Sequence, residues 1–426
     1  MSTSAGPAPP PSGEDGSQPS NTSQQAEHTS APPPPLTPHS RLSPFVLLCG
    51  AGFLGRLSYE MVRAPLTSLY ALHLGAPTQV IGLLVAAVTI TGIFFKFPSG
   101  SLADVFGFRR LMLAGLWVKA SAPFLYLIVS SWPQLLVLRF YHGLSTALYA
   151  PAASAQVAKA YPEQRGSRLG TYSAAENAGV VLGPVLGATV LAWANFSVAF
   201  IVSGAIGIGA LLAVLPFPKD APVRRAAQSP RQILRRLGHG LRQIIGDRAI
   251  RMASLMEATL YAGVGTLQAY LPLYALSVHI SVAQIGLLFG GQGIASILLR
   301  PLMGRAADRY GRKPFIVTGV TICAIVLATI PYFQTFWPLL GLSVAFGLGT
   351  GMVTPSTTAM IGDLVKRGDF GAAMGVFGSL WDIGHAAGPL IAGFLIAALG
   401  YRSAFLIIAV VIVTALAVFI RTPSNT

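Results

Sequence analysis

Acidic residues are scarce in this chain. Fourteen Asp and Glu face 29 Lys and Arg, and all four charged types make up only 10% of its 426 residues, far below the roughly 25% of an average soluble domain. So thin a charged surface cannot cover the 53% of the chain that is hydrophobic, so a water-soluble fold is excluded. Cysteine is nearly absent too. Cys49 and Cys323 each sit in an apolar run with no CxxC or Cys/His spacing, which removes a disulfide framework and a metal site. No GxxxxGK[ST], HExxH or GxSxG segment occurs, so neither a nucleotide-driven pump nor a hydrolase is expected. Alternating ten-residue strands, the mark of a membrane barrel, are missing as well.

What is present is a succession of apolar stretches from about Pro44 to Ile420, each near the roughly 20 residues that carry a helix across about 30 Å of hydrocarbon. The fold class this predicts is an all-α polytopic membrane protein with twelve transmembrane helices in two six-helix bundles. The spans are 45–72, 80–102, 110–130, 134–158, 168–192, 197–216, 252–276, 284–303, 313–331, 336–361, 371–398 and 403–420. A net charge of +15 raises nucleic acid as a partner, and the placement of the basic residues answers it. They fall in alternate loops: Arg109 and Arg110; Lys159, Arg165 and Arg168; Arg305, Arg309, Arg312 and Lys313; Lys366 and Arg367. Only Arg402 falls in a loop on the other side. The positive-inside rule then puts both termini in the cytoplasm of a multi-pass cell-membrane protein. The basic excess reports topology, and the expected partners are the lipid bilayer and a small-molecule substrate, with no nucleic acid. A monomer is expected.

Residues 1–42 form a Pro/Ser-rich tail without an apolar run, expected to be disordered. Two bundles, 43–216 and 252–421, flank a basic linker at 217–251, and 422–426 is a short tail. Within the linker, Ile233, Leu234, Leu237, Leu241 and Ile244 approach helical spacing, which suggests an amphipathic helix on the cytoplasmic surface. One offset of 204 residues sets "SLYALHLGAPTQVIGLL" from Ser68 over "PLYALSVHISVAQIGLL" from Pro272, Gly100 over Gly304, Asp104 over Asp308, Gly143 over Gly347 and Pro151 over Pro355. Coincidence would not hold one register over five helices, so the chain reads as a tandem duplication.

The repeat carries a motif. "GSLADVFGFRR" holds Gly100, Asp104, Gly107, Arg109 and Arg110, and "GRAADRYGRK" holds Gly304, Asp308, Gly311, Arg312 and Lys313. The glycines allow a tight turn, and the aspartates can pair with Arg or cap a neighbouring helix, contacts whose loss would let the halves rock. Both segments resemble the loop signature "GxLaDrxGrr" of the major facilitator superfamily. The first departs from it, because Val105 and Phe108 stand where the second has Arg309 and Arg312. Further along, "GVVLGPVLGA" places Gly179, Gly183 and Gly187 on one side-chain-free helix face beside Pro184, echoed at Gly388 and Pro389. It is similar to that family's fifth-helix antiporter signature, with Ala188 in place of the last glycine. Arg139 in "LRFYHG" resembles its fourth-helix arginine implicated in proton coupling.

Duplication also isolates function, since a scaffold shared by both halves cannot explain a charge found in only one. Glu60, Arg63, Arg139, Glu176, Glu257 and Asp382 meet this test, facing Val264, Leu267, Ser343, Trp381, Phe53 and Asn177 in the other half. A mid-membrane charge costs about 3 kcal/mol, so each needs a partner or a wet cavity. Glu60 and Arg63 can pair locally, and Arg139 lies near a helix end where it could snorkel. Glu257 is read at the start of its helix as an interfacial charge or a functional one. Asp382 and His385, three apart, share a face suited to loading and releasing protons. Lys96 and Arg300 occupy matching positions and read as structural. Tyr59, Tyr70, Trp117, Tyr149, Tyr261, Tyr270 and Trp381 could line a cavity for an apolar or cationic solute, the alternative for most of them being a lipid-facing, interfacial or packing role. The resemblance implies a secondary transporter working by alternating access, with proton-coupled efflux of amphiphilic or drug-like solutes as the first expectation. The alternatives are a nutrient importer or facilitator, and a non-transporting receptor or scaffold. No cofactor is expected beyond a proton gradient, and no enzymatic activity.

Overall fold

The computed structural model describes residues 43–217, 238, 242, 246–365 and 370–421, and their side chains except at 96–106 and 370–372. The Pro/Ser-rich tail, the linker residues Ile233, Leu234, Leu237, Leu241 and Ile244, Lys366, Arg367 and residues 422–426 lie outside the described residues, as do the side chains of Lys96 and Asp104.

The described chain is helical: α1 (Pro44–His73), α2 (Thr78–Phe106), α3 (Phe108–Leu125), α4 (Trp132–Ala160), α5 (Arg165–Trp193), α6 (Phe196–Val214), α7 (Arg248–Ser277), α8 (Val282–Tyr310), α9 (Arg312–Thr329) and α10 (Phe336–Leu364). The last stretch, Phe370–Ile420, breaks at Gly400, whose φ of 77° no helix accommodates, into α11 (370–399) and α12 (401–420). Nine described stretches are long and apolar enough to cross a membrane, the last of them spanning both α11 and α12, while α4 and α7 have the length without the hydropathy. The helices thus accommodate the twelve expected passes. Local chemistry sets their starts. Ser43 and Asn195 accept from Val46 and Val198 amides, Asp247 accepts from Ala249 and Ile250, and Ser281 with Gln284 forms a capping box. Gly107 and Gly311, at φ 91° and 88°, make the matching turns before α3 and α9.

One helix is not regular. Within α1, Val62–Leu66 widens to a π turn and Ala64 turns extended (φ −148°, ψ 131°), as the residue before a proline prefers. This kink presents Arg63.

Among the first six helices, α1 packs on α5 and α6, and α4 on α2 and α3; in the second set, α7 packs on α11 and α8 on α10. The sets meet where α5 lies on α8 and α2 on α11. Three apolar clusters show how. At the end holding the 107 and 311 turns each set keeps its own core, Phe45, Leu116 and Tyr172 in one and Ile250, Ile361 and Phe377 in the other. At the opposite end one cluster joins them, running from Leu66 and Ile81 to Leu271, Ile285 and Ile396. Tyr270 Oη tightens that end by donating to the Thr78 carbonyl at 2.9 Å. Among the described residues, one apolar core thus joins the halves at the 73–78 end, while toward the motif turns each half keeps a cluster of its own.

The two motif loops use different chemistry at equivalent positions. In the second half Arg312 pairs with Asp308 and, at 3.3 Å, with Asp363 of α10. In the first, Lys159, the counterpart of Asp363, lies 5.6 Å over the Phe108 ring. Both halves tether a last helix in the same way: Arg109 donates to the Leu215 carbonyl at 2.8 Å and Lys313 to that of Ile420 at 2.9 Å. Because Asp308 and Asp363 are mostly exposed, Arg312→Ala is expected to cost less than about 1 kcal/mol in thermal unfolding.

Candidate functional site

A cavity of about 380 Å³ lies between the halves, walled by α1, α2, α4 and α5 on one side and by α7, α8, α10 and α11 on the other. Its size is that of a site for a drug-sized ligand. The kinked helix supplies its main charges. Glu60 is buried and takes Arg56 Nη2 at 2.9 Å and Arg63 Nη1 at 3.2 Å, so two guanidiniums share one carboxylate. Both cations also stand over the Tyr59 ring, at 5.7 and 5.9 Å.

The second nitrogen of Arg63 crosses to the other half and donates to His385 Nε2 at 3.0 Å. Guanidinium can only donate, so this bond needs Nε2 as acceptor, with the imidazole proton on Nδ1, which faces Thr89 Oγ1 at 3.2 Å. Gln268 Oε1, which can only accept, stands 3.0 Å from the same Nε2 and is served instead by the other tautomer, so Arg63 and Gln268 compete for one ring nitrogen. Asp382, buried one turn before His385, lines the same cavity and acts electrostatically on Arg63. Beside it the Tyr261 and Trp381 rings lie 4.5 Å apart and 32° from parallel. An acid pair, an imidazole and a slot of aromatic surface therefore converge on one volume.

Of the expected residues, Glu60, Arg63, Asp382 and His385 meet here, with Pro184 in the wall, while Arg139, Glu176 and Glu257 do not line the cavity. Arg139 does not snorkel. It is fully buried and donates to the Leu84 and Val85 carbonyls of α2 at 2.9 and 3.3 Å, using lone pairs that the helix ladder leaves over. Glu257 is not interfacial either: it is fully buried ten residues into α7, where Thr357 Oγ1 of α10 donates to it at 2.7 Å. Glu176 acts electrostatically on Lys119, a buried α3 lysine 4.4 Å over the Tyr149 ring. The glycine face of α5 is a packing surface. A Cβ at Gly183 would stand 2.6 Å from Glu60 Cβ, and one at Gly187 2.6 Å from the Met61 carbonyl. The α11 echo behaves alike, with Gly388 against the Ala262 carbonyl of α7.

Three charges escaped the sequence reading. Arg56 and Lys119 face Leu260 and Cys323 in the other half, so the one-half-only test identifies both. Arg300 reads as structural from sequence because Lys96 matches it, yet it lines the cavity.

The model of the Major Facilitator Superfamily matches residues 48–278 and 253–426. Among relatives, an uncharacterised MFS-type transporter of Methanocaldococcus jannaschii is 23% identical over 85% of this chain and 92% of its own. The quinolone resistance protein NorA of Staphylococcus aureus is 24% identical over 78% and 84%, and the multidrug resistance protein MdtG of Citrobacter koseri 26% over 76% and 80%. Among solved structures, the nucleoside transporter NupG superposes with a TM-score of 0.73 at 15% identity, covering 89% of this chain and 98% of that one. A bacterial homologue of the human lysosomal transporter Spinster, inward-facing, gives 0.74 at 14% over 88% and 95%. These matches span both halves and the whole helical fold. The chain belongs to the major facilitator superfamily and is a multi-pass membrane transporter, not an enzyme.

Proposed function

We propose that this transporter exports small amphiphilic or drug-like solutes in exchange for protons, with the inter-half cavity as its site. The observation that carries the reading is the chain Glu60–Arg63–His385, which joins the halves beside Asp382. Adding a proton to one of these acids changes which partners Arg63 keeps, and a solute entering the cavity competes for the same groups. A ligand shifts such an equilibrium only by binding its two states differently, and this arrangement supplies that difference. With the termini in the cytoplasm, the joined 73–78 end faces outward and the cavity opens inward, where an exporter loads. The names of NorA and MdtG support export. The second reading is movement of a nutrient, the class to which the solute named for the nucleoside transporter among the structural neighbours belongs.

In proteoliposomes, an imposed pH gradient is expected to drive a fluorescent amphiphile against the proton flow. Asp382→Asn should abolish that response while leaving solute binding within about threefold of wild type, because a neutral amide keeps the shape but cannot take up the proton. Flux indifferent to the gradient, or coupled flux in Asp382→Asn, would refute proton exchange. Solute gathering inside intact cells would decide for import.

A further inference from the structure

The described cavity wall holds three guanidiniums, Arg56, Arg63 and Arg300, against two carboxylates, Glu60 and Asp382. Two of the three are occupied, since Arg56 and Arg63 both close on Glu60. Arg300 differs. Among the described residues it makes no ion pair and no hydrogen bond, and its Nε is buried without an acceptor. The acid within its electrostatic reach, Glu257, stands outside the cavity lining and is held by Thr357. A half-buried guanidinium facing a cavity is a demanding group, because its fork of donors matches a carboxylate or similar oxyanion bidentately.

Its surroundings narrow the ligand further. Gln292, Ser296 and Arg300 recur every four residues and form one polar stripe of α8 facing the cavity, with Gln292 Oε1 also buried and unpartnered. Arg300 is within electrostatic reach of Tyr261, whose ring with that of Trp381 forms the aromatic slot. An oxyanion and a flat ring thus find complementary surface side by side.

We propose that the cavity selects solutes in which an anionic group is attached to a planar aromatic system, Arg300 receiving the anion and the Tyr261–Trp381 pair the ring. The inference rests on the reading of this cavity as the transport site. It replaces the cationic solute that the aromatic residues alone suggest.

Three probes sharing one ring separate the possibilities: coumarin-3-carboxylate, its carboxamide, and a coumarin bearing a trimethylammonium group. Binding to the purified full-length transporter is followed by fluorescence, alongside flux in proteoliposomes. Wild type should prefer the carboxylate by about tenfold or more over both others, the effect of one charge-assisted bidentate contact. Arg300→Gln should erase that preference by weakening the carboxylate far more than the carboxamide, and Arg300→Lys should restore part of it. Ala150→Trp, which fills the cavity, should block all three probes.

Equal or better binding of the carboxamide or the cation by wild type overturns the proposal. So does a uniform weakening of all three probes in Arg300→Gln, which marks a structural arginine, or the absence of saturable carboxylate binding at millimolar concentration. If all three bind Ala150→Trp as they bind wild type, the cavity is not the site, and both readings fall together. Binding that Ala150→Trp blocks without preference for the carboxylate overturns the anion selectivity alone.

Discussion

Glu60→Ala is expected to reduce transport by a hundredfold or more and to lower thermal stability sharply. The carboxylate is buried and holds Arg56 at 2.9 Å and Arg63 at 3.2 Å. Removing it leaves two like charges side by side in a cavity wall, and orphaning one member of a buried ion pair costs about 3–5 kcal/mol. Arg56 is 29% exposed, so water relieves part of that cost and places the loss near the low end of the range. The comparison that separates folding from function is Glu60→Gln. Its amide oxygen still accepts one guanidinium hydrogen bond, so the melting temperature should recover most of the way. Transport should not, because neither the charge that positions Arg63 toward His385 nor a titratable group remains. Wild-type flux in Glu60→Gln, measured in the same vesicles, would remove Glu60 from the mechanism.

Gly183→Val is expected to fail at an earlier step. The first atom of any side chain at Gly183 meets Glu60 Cβ at 2.6 Å and the Met61 amide nitrogen at 3.0 Å, and the β-branched pair of methyls reaches further still. Helix α5 must then move off α1. Overpacking of this kind costs about 1–3 kcal/mol in an ordinary core, and here it also displaces the carboxylate that neutralises two arginines. Gly170→Val is the control on the same helix, since a Cβ there meets nothing within 4 Å. Size-exclusion profiles in detergent should show a monodisperse control and an aggregated or poorly expressed Gly183 variant. A well-folded Gly183→Val protein would mean that α1 and α5 tolerate separation.

The helices were legible because a membrane helix declares itself by length and apolarity. The reading placed α4 at 134–158 and α5 at 168–192, against the observed Trp132–Ala160 and Arg165–Trp193. It also placed a break between 398 and 403, where Gly400 makes it. Half of the candidate site followed from the duplication, because Glu60, Arg63 and Asp382 are charges without counterparts. What the sequence could not show was direction. The chain alone leaves Glu257 open between an interfacial and a functional charge and Arg139 between snorkelling and function, because the partners that bury them, Thr357 a hundred residues away and carbonyls of α2, are not sequence neighbours. Arg300 was hidden by the strength of the repeat itself: a matched cation at Lys96 suggested a common scaffold, although the two need not do the same work in halves that have diverged.

That divergence sits on a mechanical symmetry. Gly183 and Gly187 bring α5 backbone-close to α1, while Gly286 of α8 meets Ala188 and Pro184 on another side of α5. The helix carrying Glu60 and Arg63 is therefore clamped to a helix that forms one of the seams between the halves. Nothing bulky lies between them to absorb displacement. Any displacement of α1 is therefore handed to α5 through direct backbone contact and reaches the seam with α8 undamped.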